Sequence, residues 1–240
     1  MDAAPTLLVL IPAYNEAASL PAVVAELRQA CPRARALVVD DDSTDATRAL
    51  LPSLGVTWLG LAQHLGLGAV MRAGLRFARL HGHDTVVRLD GDGQHRPQEI
   101  ERLLGPIRAG QADAVQGTRY AGGGGYHSTV VRRLGQRALA GITSRLTGRR
   151  VTDPTSGFWA FGPRAVQVLA DHHPSGYPEP ELLLFLHRNG LRVAEVSIEM
   201  RERLAGRTSL TAPRVGLALA RLALTTLVTP LRPGVEVPTR

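Results

Sequence analysis

The chain contains no lysine. All 28 of its basic side chains are arginine, set against 21 acidic ones, for a formal net charge of +7. Arginine keeps its charge in every environment and grips carboxylates and phosphates with two parallel hydrogen bonds. The balance therefore suits an anionic partner: a nucleotide diphosphate, a lipid phosphate, an anionic membrane surface or RNA. A merely solvated basic surface is the other reading. Cysteine is nearly absent too. The single Cys31 excludes an internal disulfide framework and fits a reducing compartment. Aromatic residues make up only 4% of the chain, too few for base-stacking platforms, which argues against a nucleic-acid partner. No uncharged apolar run reaches the ~20 residues that span a bilayer. The amino terminus carries Asp2, lacks a basic region and shows no signal peptide. The expectation from these absences is a cytoplasmic protein, one that could also work at the inner face of the membrane. The phosphate-loop, HExxH, paired CxxC and GxSxG motifs are all missing, and Gly66-x-Gly68 does not complete a dinucleotide fingerprint.

What is present is an alternation. At 240 residues and 44% hydrophobic content the chain can build one sizeable α/β domain. Apolar runs at 6–11, 36–39, 56–59, 85–90 and 112–116 read as strands. Helical periodicity over 21–30, 45–51, 65–80 and 97–109 lies between them, with Ser43 or Thr44 as the cap of the second helix. Strands alternating with helices predict a mostly parallel sheet. Polar residues follow strand after strand: Tyr14, Asn15 and Glu16; Asp40, Asp41 and Asp42; Asp90 and Asp92; Arg119. In a parallel sheet these all fall on the carboxyl edge, where open α/β sheets bind ligands.

The stretch Val86–Pro97, VVRLDGDGQHRP, is the centre of that edge. An apolar strand stops at two aspartates with Gly91 and Gly93 beside them. Unpaired carboxylates do not sit inside a sheet, and the glycines let the backbone turn so that both face one side. Hard oxygen ligands of this kind suit Mg²⁺ or Mn²⁺, which share their coordination with substrate phosphates. An Asp-Gly turn ending a strand is the plainer alternative.

Beyond Arg119 the texture changes. Residues 121–125 are glycine-rich, either a lid over the site or a flexible linker. Residues 128–148 form a basic amphipathic helix, either lying on anionic lipid or facing solvent. Residues 151–161 follow, including Asp153-Pro-Thr-Ser-Gly-Phe158, with Trp159 and Phe161 alternating as in a strand; then comes a helix over 178–186 with Glu179 and Glu181 in its first turn, where the helix dipole favours acids. The last strand is 193–200, followed by the basic loop that contains Arg203. Residues 210–231 form a docked or membrane-interfacial helix, and 232–240 a flexible tail.

Taken in order, Ile11-Pro-Ala-Tyr-Asn-Glu16, Val39-Asp-Asp-Asp-Ser-Thr-Asp45, His64-Leu-Gly-Leu-Gly-Ala69, Leu89-Asp-Gly-Asp-Gly-Gln-His95, Gly117-Thr-Arg119, Asp153 with Ser156-Gly-Phe158, and Arg203-x-x-Gly206 resemble the family 2 glycosyltransferases, within them the dolichol-phosphate mannosyltransferase-like group. The resemblance implies a GT-A fold: a Rossmann-like, mostly parallel sheet flanked by helices. The donor half would be 1–119 and the acceptor half 120–209. It implies a metal-dependent, inverting transfer from a GDP- or UDP-sugar to a hydroxyl or a lipid phosphate, with Mg²⁺ or Mn²⁺ as cofactor. Pro12, Tyr14, Glu16 and Asp41 would hold the nucleoside; Asp90, Gly91, Asp92 and Gln94 the metal and diphosphate; Arg119 and Arg203 the phosphates. Asp153, Glu179 and Glu181 would stand on the acceptor side, as candidates for a base if the acceptor is a hydroxyl. The chain departs from the family pattern at Asp42 (usually glycine), His64 (usually asparagine) and Ser209 (often lysine). A nucleotidylyltransferase and a non-catalytic module binding RNA or membranes are the competing readings.

Overall fold

The computed structural model describes residues 7–119, 130–174, 178–201 and 203. β1 (Leu7–Ala13) buries Leu8 and Leu10 on one face and Val9 and Ile11 on the other. A strand covered by helices on both sides reads this way, as a continuous apolar run. α1 (Leu20–Ala30) carries Pro21 in its first turn, where no backbone N–H is needed, and buries Leu20, Val23, Val24 and Leu27. β2 (Arg35–Asp40) leads to α2 (Thr47–Leu50), a single turn that tightens into a 3₁₀ turn at Leu51–Leu54, where Pro52 interrupts the helix. β3 (Thr57–Gly60), α3 (Leu67–Leu80) and β4 (Thr85–Arg88) follow. A 3₁₀ turn at Pro97–Glu99 opens α4 (Ile100–Arg108), and β5 (Ala114–Thr118) completes the first half. The remainder is α5 (Val130–Thr147), β6 (Trp159–Phe161), α6 (Pro163–His172), α7 (Pro178–Arg188) and β7 (Val193–Ser197).

The strands make one sheet in the order β3-β2-β1-β4-β6-β5-β7. All pairs are parallel except those of β6, which runs antiparallel to both β4 and β5. The other strands therefore share a direction, and their carboxyl ends form one edge, as the sequence reading requires. The order reverses between β1 and β4, which opens a crevice there. The register also lines up Arg88, Trp159, Gln116 and Glu195 across four adjacent strands, three polar residues around the core residue Trp159.

The sequence reading needs three local corrections. Ser43 and Thr44 do not cap α2; both bond to the loop after β1 instead, and the position before α2 is Ala46, with no side-chain cap. The strand expected over 112–116 lies at 114–118, because the backbone of Asp113 and Ala114 first turns to bond Arg192. α6 was not foreseen, although Gly162-Pro163 and the buried Ala165, Val166 and Leu169 carry its start and its apolar face. The glycine-rich 121–125 segment, the 210–231 helix and the 232–240 tail lie outside the described residues. Among those described, no helix is long and apolar enough to cross a membrane.

Candidate active site

The loops after β1 and β2 are zipped together at the sheet edge. Asn15 takes the left-handed conformation (φ 57°), which asparagine tolerates better than most residues. Its N–H donates to Ser43 Oγ at 2.9 Å, and its Oδ1 accepts from the N–H groups of Thr44 at 2.8 Å and Asp45 at 3.2 Å. The Glu16 N–H donates to Thr47 Oγ1 at 2.8 Å. Asp42, at the family's glycine position, is also left-handed (φ 61°), so the departure keeps the backbone that glycine would give. The buried Asp40 pairs with Arg48 Nε at 2.6 Å, and Arg48 reaches on to the Leu61 carbonyl. Asp41 accepts from the N–H groups of Leu65 and Gly66, both at 2.8 Å, and lies 3.0 Å from His64 Nδ1. The His64 ring lies against that of Tyr14 with centroids 4.1 Å apart, and both rings are exposed. Tyr14, His64 and Asp41 thus form one group at this edge. Asp41 spends its carboxylate on the loop that carries His64, a role the sequence did not reveal.

The carboxylate pair closes against the end of β1. A Cβ at Gly91 would lie 3.1 Å from the Pro12 carbonyl oxygen and 3.5 Å from Glu16 Cγ, so a larger residue would push the turn away from β1 by a few tenths of an ångström. Asp90 is gripped by Arg88, whose Nε and Nη2 stand 2.8 and 3.2 Å from its two carboxylate oxygens. Arg88 Nη1 donates to Glu179 Oε1 at 2.9 Å. Gly157 leaves room for this guanidinium; a Cβ there would lie 2.5 Å from Arg88 Nη2. The Asp90 N–H donates to His95 Nδ1 at 3.1 Å, and the buried His95 ring stacks on Phe158. Burial holds the His95 pKa down to about 4, so the ring is neutral and its Nδ1 is free to accept. Asp92 Oδ1 accepts from the Gln94 N–H at 2.9 Å, and Asp92 Oδ2 lies 3.2 Å from Arg203 Nη2.

The electrostatics of the two aspartates diverge. Burial alone would raise Asp90, but the Arg88 guanidinium outweighs it and holds the carboxyl below the usual range. Asp92 is pushed up, by burial first and then by the Asp90 charge. Glu16 is also pushed up, chiefly by burial, with Asp92 and Asp90 adding to the shift. Glu16 therefore stands with the carboxylate pair, while Tyr14 and Asp41 sit in the neighbouring group. Gln94 joins the turn through its backbone: its N–H serves Asp92 and its carbonyl accepts from the Arg201 N–H.

On the far side of the crevice, Arg119 and Asp153 meet in a buried two-point ion pair at 2.6 and 2.7 Å, with Thr155 Oγ1 a further partner of Arg119 at 2.8 Å. Asp153 is fully buried and Glu179 is 8% exposed and bonded to Arg88, so neither stands as an open base; both are bound to guanidinium groups. Glu181 is half-buried one turn into α7. Sequence reading missed Arg88, His95 and Glu195. His95 was visible in the quoted motif but carried no assigned role. Arg88 was hidden inside a run read as apolar. Glu195 fixes the backbone before Asp153 by accepting from the Thr152 N–H at 2.8 Å.

Among the described residues, no three acidic, histidine or cysteine side chains gather as a metal cage. Two aspartates on one turn, Asp92 only partly compensated by the half-buried Arg203, fit a hard cation that draws its remaining ligands from substrate phosphates.

This arrangement has relatives. The chain is 34% identical to the polyprenol monophosphomannose synthase of Mycolicibacterium smegmatis, over 90% of this chain and 85% of that protein. It is 33% identical to the undecaprenyl-phosphate mannosyltransferase of Micrococcus luteus, over 90% of this chain and 91% of that protein. It is 30% identical to the UDP-N-acetylglucosamine–dolichyl-phosphate N-acetylglucosaminyltransferase of Methanococcus voltae, over 79% and 83% of the two. In fold it is similar to the glucosyl-3-phosphoglycerate synthase of Mycobacterium tuberculosis, solved with Mn²⁺, UDP and glucosyl-3-phosphoglycerate. That match has a TM-score of 0.70 at 23% identity and covers 94% of this chain and 79% of the other. The glycosyl transferase family 2 model matches residues 8–169, from β1 through most of α6. With its sheet order, its zipped loops and its aspartate turn, the chain belongs to glycosyl transferase family 2.

Proposed function

We propose that the protein is a metal-dependent, inverting glycosyltransferase that moves a sugar from a GDP- or UDP-sugar to a polyprenyl phosphate. The observation that carries the choice of acceptor is the state of the acceptor-side acids. A hydroxyl acceptor needs a carboxylate free to take its proton. Of the three candidate acids, Asp153 and Glu179 are each committed to an arginine in a buried pair, and Glu181 is half-buried on α7 with a partner of its own. A phosphate acceptor arrives already ionised and needs no such base. The names of the relatives agree, since three of them act on polyprenyl or dolichyl phosphates.

In this reading residues 1–119 hold the donor and 120–209 the acceptor. The Tyr14–His64 surface receives the nucleobase. Asp92, with Asp90 behind it, would hold Mg²⁺ or Mn²⁺, a cation that would supply charge neutralisation for the departing diphosphate. Arg203 lies beside Asp92 and reaches the same phosphates; Arg119, fixed by Asp153, supplies preorganised positive charge. His95 and Arg88 hold the aspartate turn rigid. Family membership sets aside the nucleotidylyltransferase alternative and the inert binding module.

The test is transfer from labelled GDP- and UDP-sugars to a polyprenyl phosphate in detergent, with and without Mn²⁺. One donor series should yield glycolipid only with metal. Asp92→Asn should abolish transfer and leave the thermal unfolding transition in place. Metal-independent turnover, or transfer to a free hydroxyl with none to the lipid phosphate, would overturn the proposal.

A further inference from the structure

Both aspartates of the 90–92 turn are paired with guanidinium groups of the chain itself, and the two pairings differ in kind. Arg88 is buried, with 6% of its side chain exposed, and is held by Asp90 at two points and by Glu179 at a third. It issues from a central strand and has no path out. Arg203 is 30% exposed and touches Asp92 through one ion pair of 3.2 Å. It follows the last strand, beyond Arg201, which is anchored to Glu26 through two bonds of 2.7 Å. One guanidinium is fixed in the fold, and the other can be exchanged.

We infer that Arg203 is a placeholder for the divalent cation at Asp92, and that the cation displaces it from that carboxylate. Asp90 keeps its bond to Arg88 throughout and acts as an anchor for the turn. The two aspartates that the sequence presents as equal ligands are therefore unequal, and Asp92 is the primary one. Displacement frees the Arg203 guanidinium a short distance from the bound cation, where the donor's diphosphate must lie. The same residue then competes with the metal before the donor binds and grips the phosphates afterwards. No proton or bond changes hands; one ion pair is exchanged for another. Without Arg203, Asp92 would stand without a counter-charge at partial burial in the metal-free protein, whereas Asp90 would keep Arg88.

This inference rests on the proposed metal-dependent function and can fail separately from it. Binding of Mn²⁺ to the full chain is measured by calorimetry, or by the electron paramagnetic resonance signal of free Mn²⁺, first without nucleotide. Arg203→Gln should bind Mn²⁺ at least about threefold more tightly than the wild type, the scale of a partly exposed ion pair. In the presence of saturating Mn²⁺ the same variant should bind UDP or GDP, whichever the wild type prefers, several-fold more weakly. The opposite signs are the signature. Arg96→Gln serves as the charge control, because Arg96 sits on the loop of the aspartate turn but pairs with Glu199; it should leave Mn²⁺ affinity unchanged. Asp92→Asn should lose Mn²⁺ binding, while Asp90→Asn should retain most of it. If the wild type binds no Mn²⁺ even with nucleotide, the functional proposal itself falls. If the wild type binds Mn²⁺ but Arg203→Gln leaves that affinity unchanged or weaker, or if Arg96→Gln strengthens it equally, the placeholder role is refuted.

Discussion

Replacing Arg88 with methionine should be among the most damaging single changes at this site, and its cost can be worked from the pairs it breaks. Arg88 faces Asp90 and Glu179, with side-chain exposures of 6%, 27% and 10% respectively. Methionine roughly fills the volume but strands two carboxylates in partial burial. Breaking a buried ion pair from one side costs about 3–5 kcal/mol, and the lower end applies because Asp90 retains some water. A loss of about 3 kcal/mol corresponds to a fall in Tm of roughly 6–12 °C for a chain of this size. Glu179→Gln is milder, about 1–2 kcal/mol, because Arg88 and Asp90 still balance each other. The decisive measurement is the double-mutant cycle by urea unfolding at pH 7. In the Arg88→Met background, Glu179→Gln removes an unpaired buried charge and should be neutral or stabilising, reversing its sign. A cost under about 1 kcal/mol for Arg88→Met, or an equal cost of Glu179→Gln in both backgrounds, would refute the account of Arg88 as a shared buried counter-ion.

The buried His173, whose Nδ1 lies 2.8 Å from the Pro174 carbonyl oxygen, has a folded pKa depressed by burial to about 4, from an unfolded value of 6.5. Its depressed value favours the neutral form, so the associated stability is complete above pH 6.5 and is lost as pH falls towards 4. At pH 5 the loss should reach about 2 kcal/mol, and His173→Gln should flatten that part of the stability curve measured by urea unfolding. Gly74 on α3 faces Leu10 of β1, and a Cβ there would overlap the Leu10 side chain. Gly74→Val should cost about 1–3 kcal/mol by overpacking, read as an earlier urea midpoint with an unchanged slope.

The parts of the fold legible in the sequence were those whose cause is local. A buried parallel strand must be apolar on both faces, so β1 and β2 could be read within a residue or two. Their polar ends could be placed on one edge because a parallel sheet leaves no other arrangement. β6 was harder. Three residues, Trp159–Phe161, carry too little periodicity to show that they pair antiparallel between two parallel neighbours. The capping error at Ser43 has the same origin. Its hydroxyl meets the Asn15 N–H across 28 residues of sequence, and that bond competes successfully with a helix cap only once both loops lie at the same edge.

The site shows the limit most sharply. In sequence, Asp90, Asp92, Asp153 and Glu179 are acids in motifs, each open to a role as ligand or base. Folding gives each a partner: Arg88 for Asp90 and Glu179, Arg119 for Asp153, Arg203 for Asp92. None of these pairs could be read from spacing, because the partners stand far apart in the chain or, as with Arg88, lie inside a strand whose other residues mark it as core. The pairing changes the chemistry. Acids neutralised in buried pairs are poor proton acceptors but good scaffolds, since each fixes a guanidinium in place. A crevice walled this way fits the proposed transfer from a diphosphate donor to a phosphate acceptor. A chain that relies on arginine for all of its basic charge is suited to that role, because guanidinium keeps its charge when buried where an ammonium group readily loses its own.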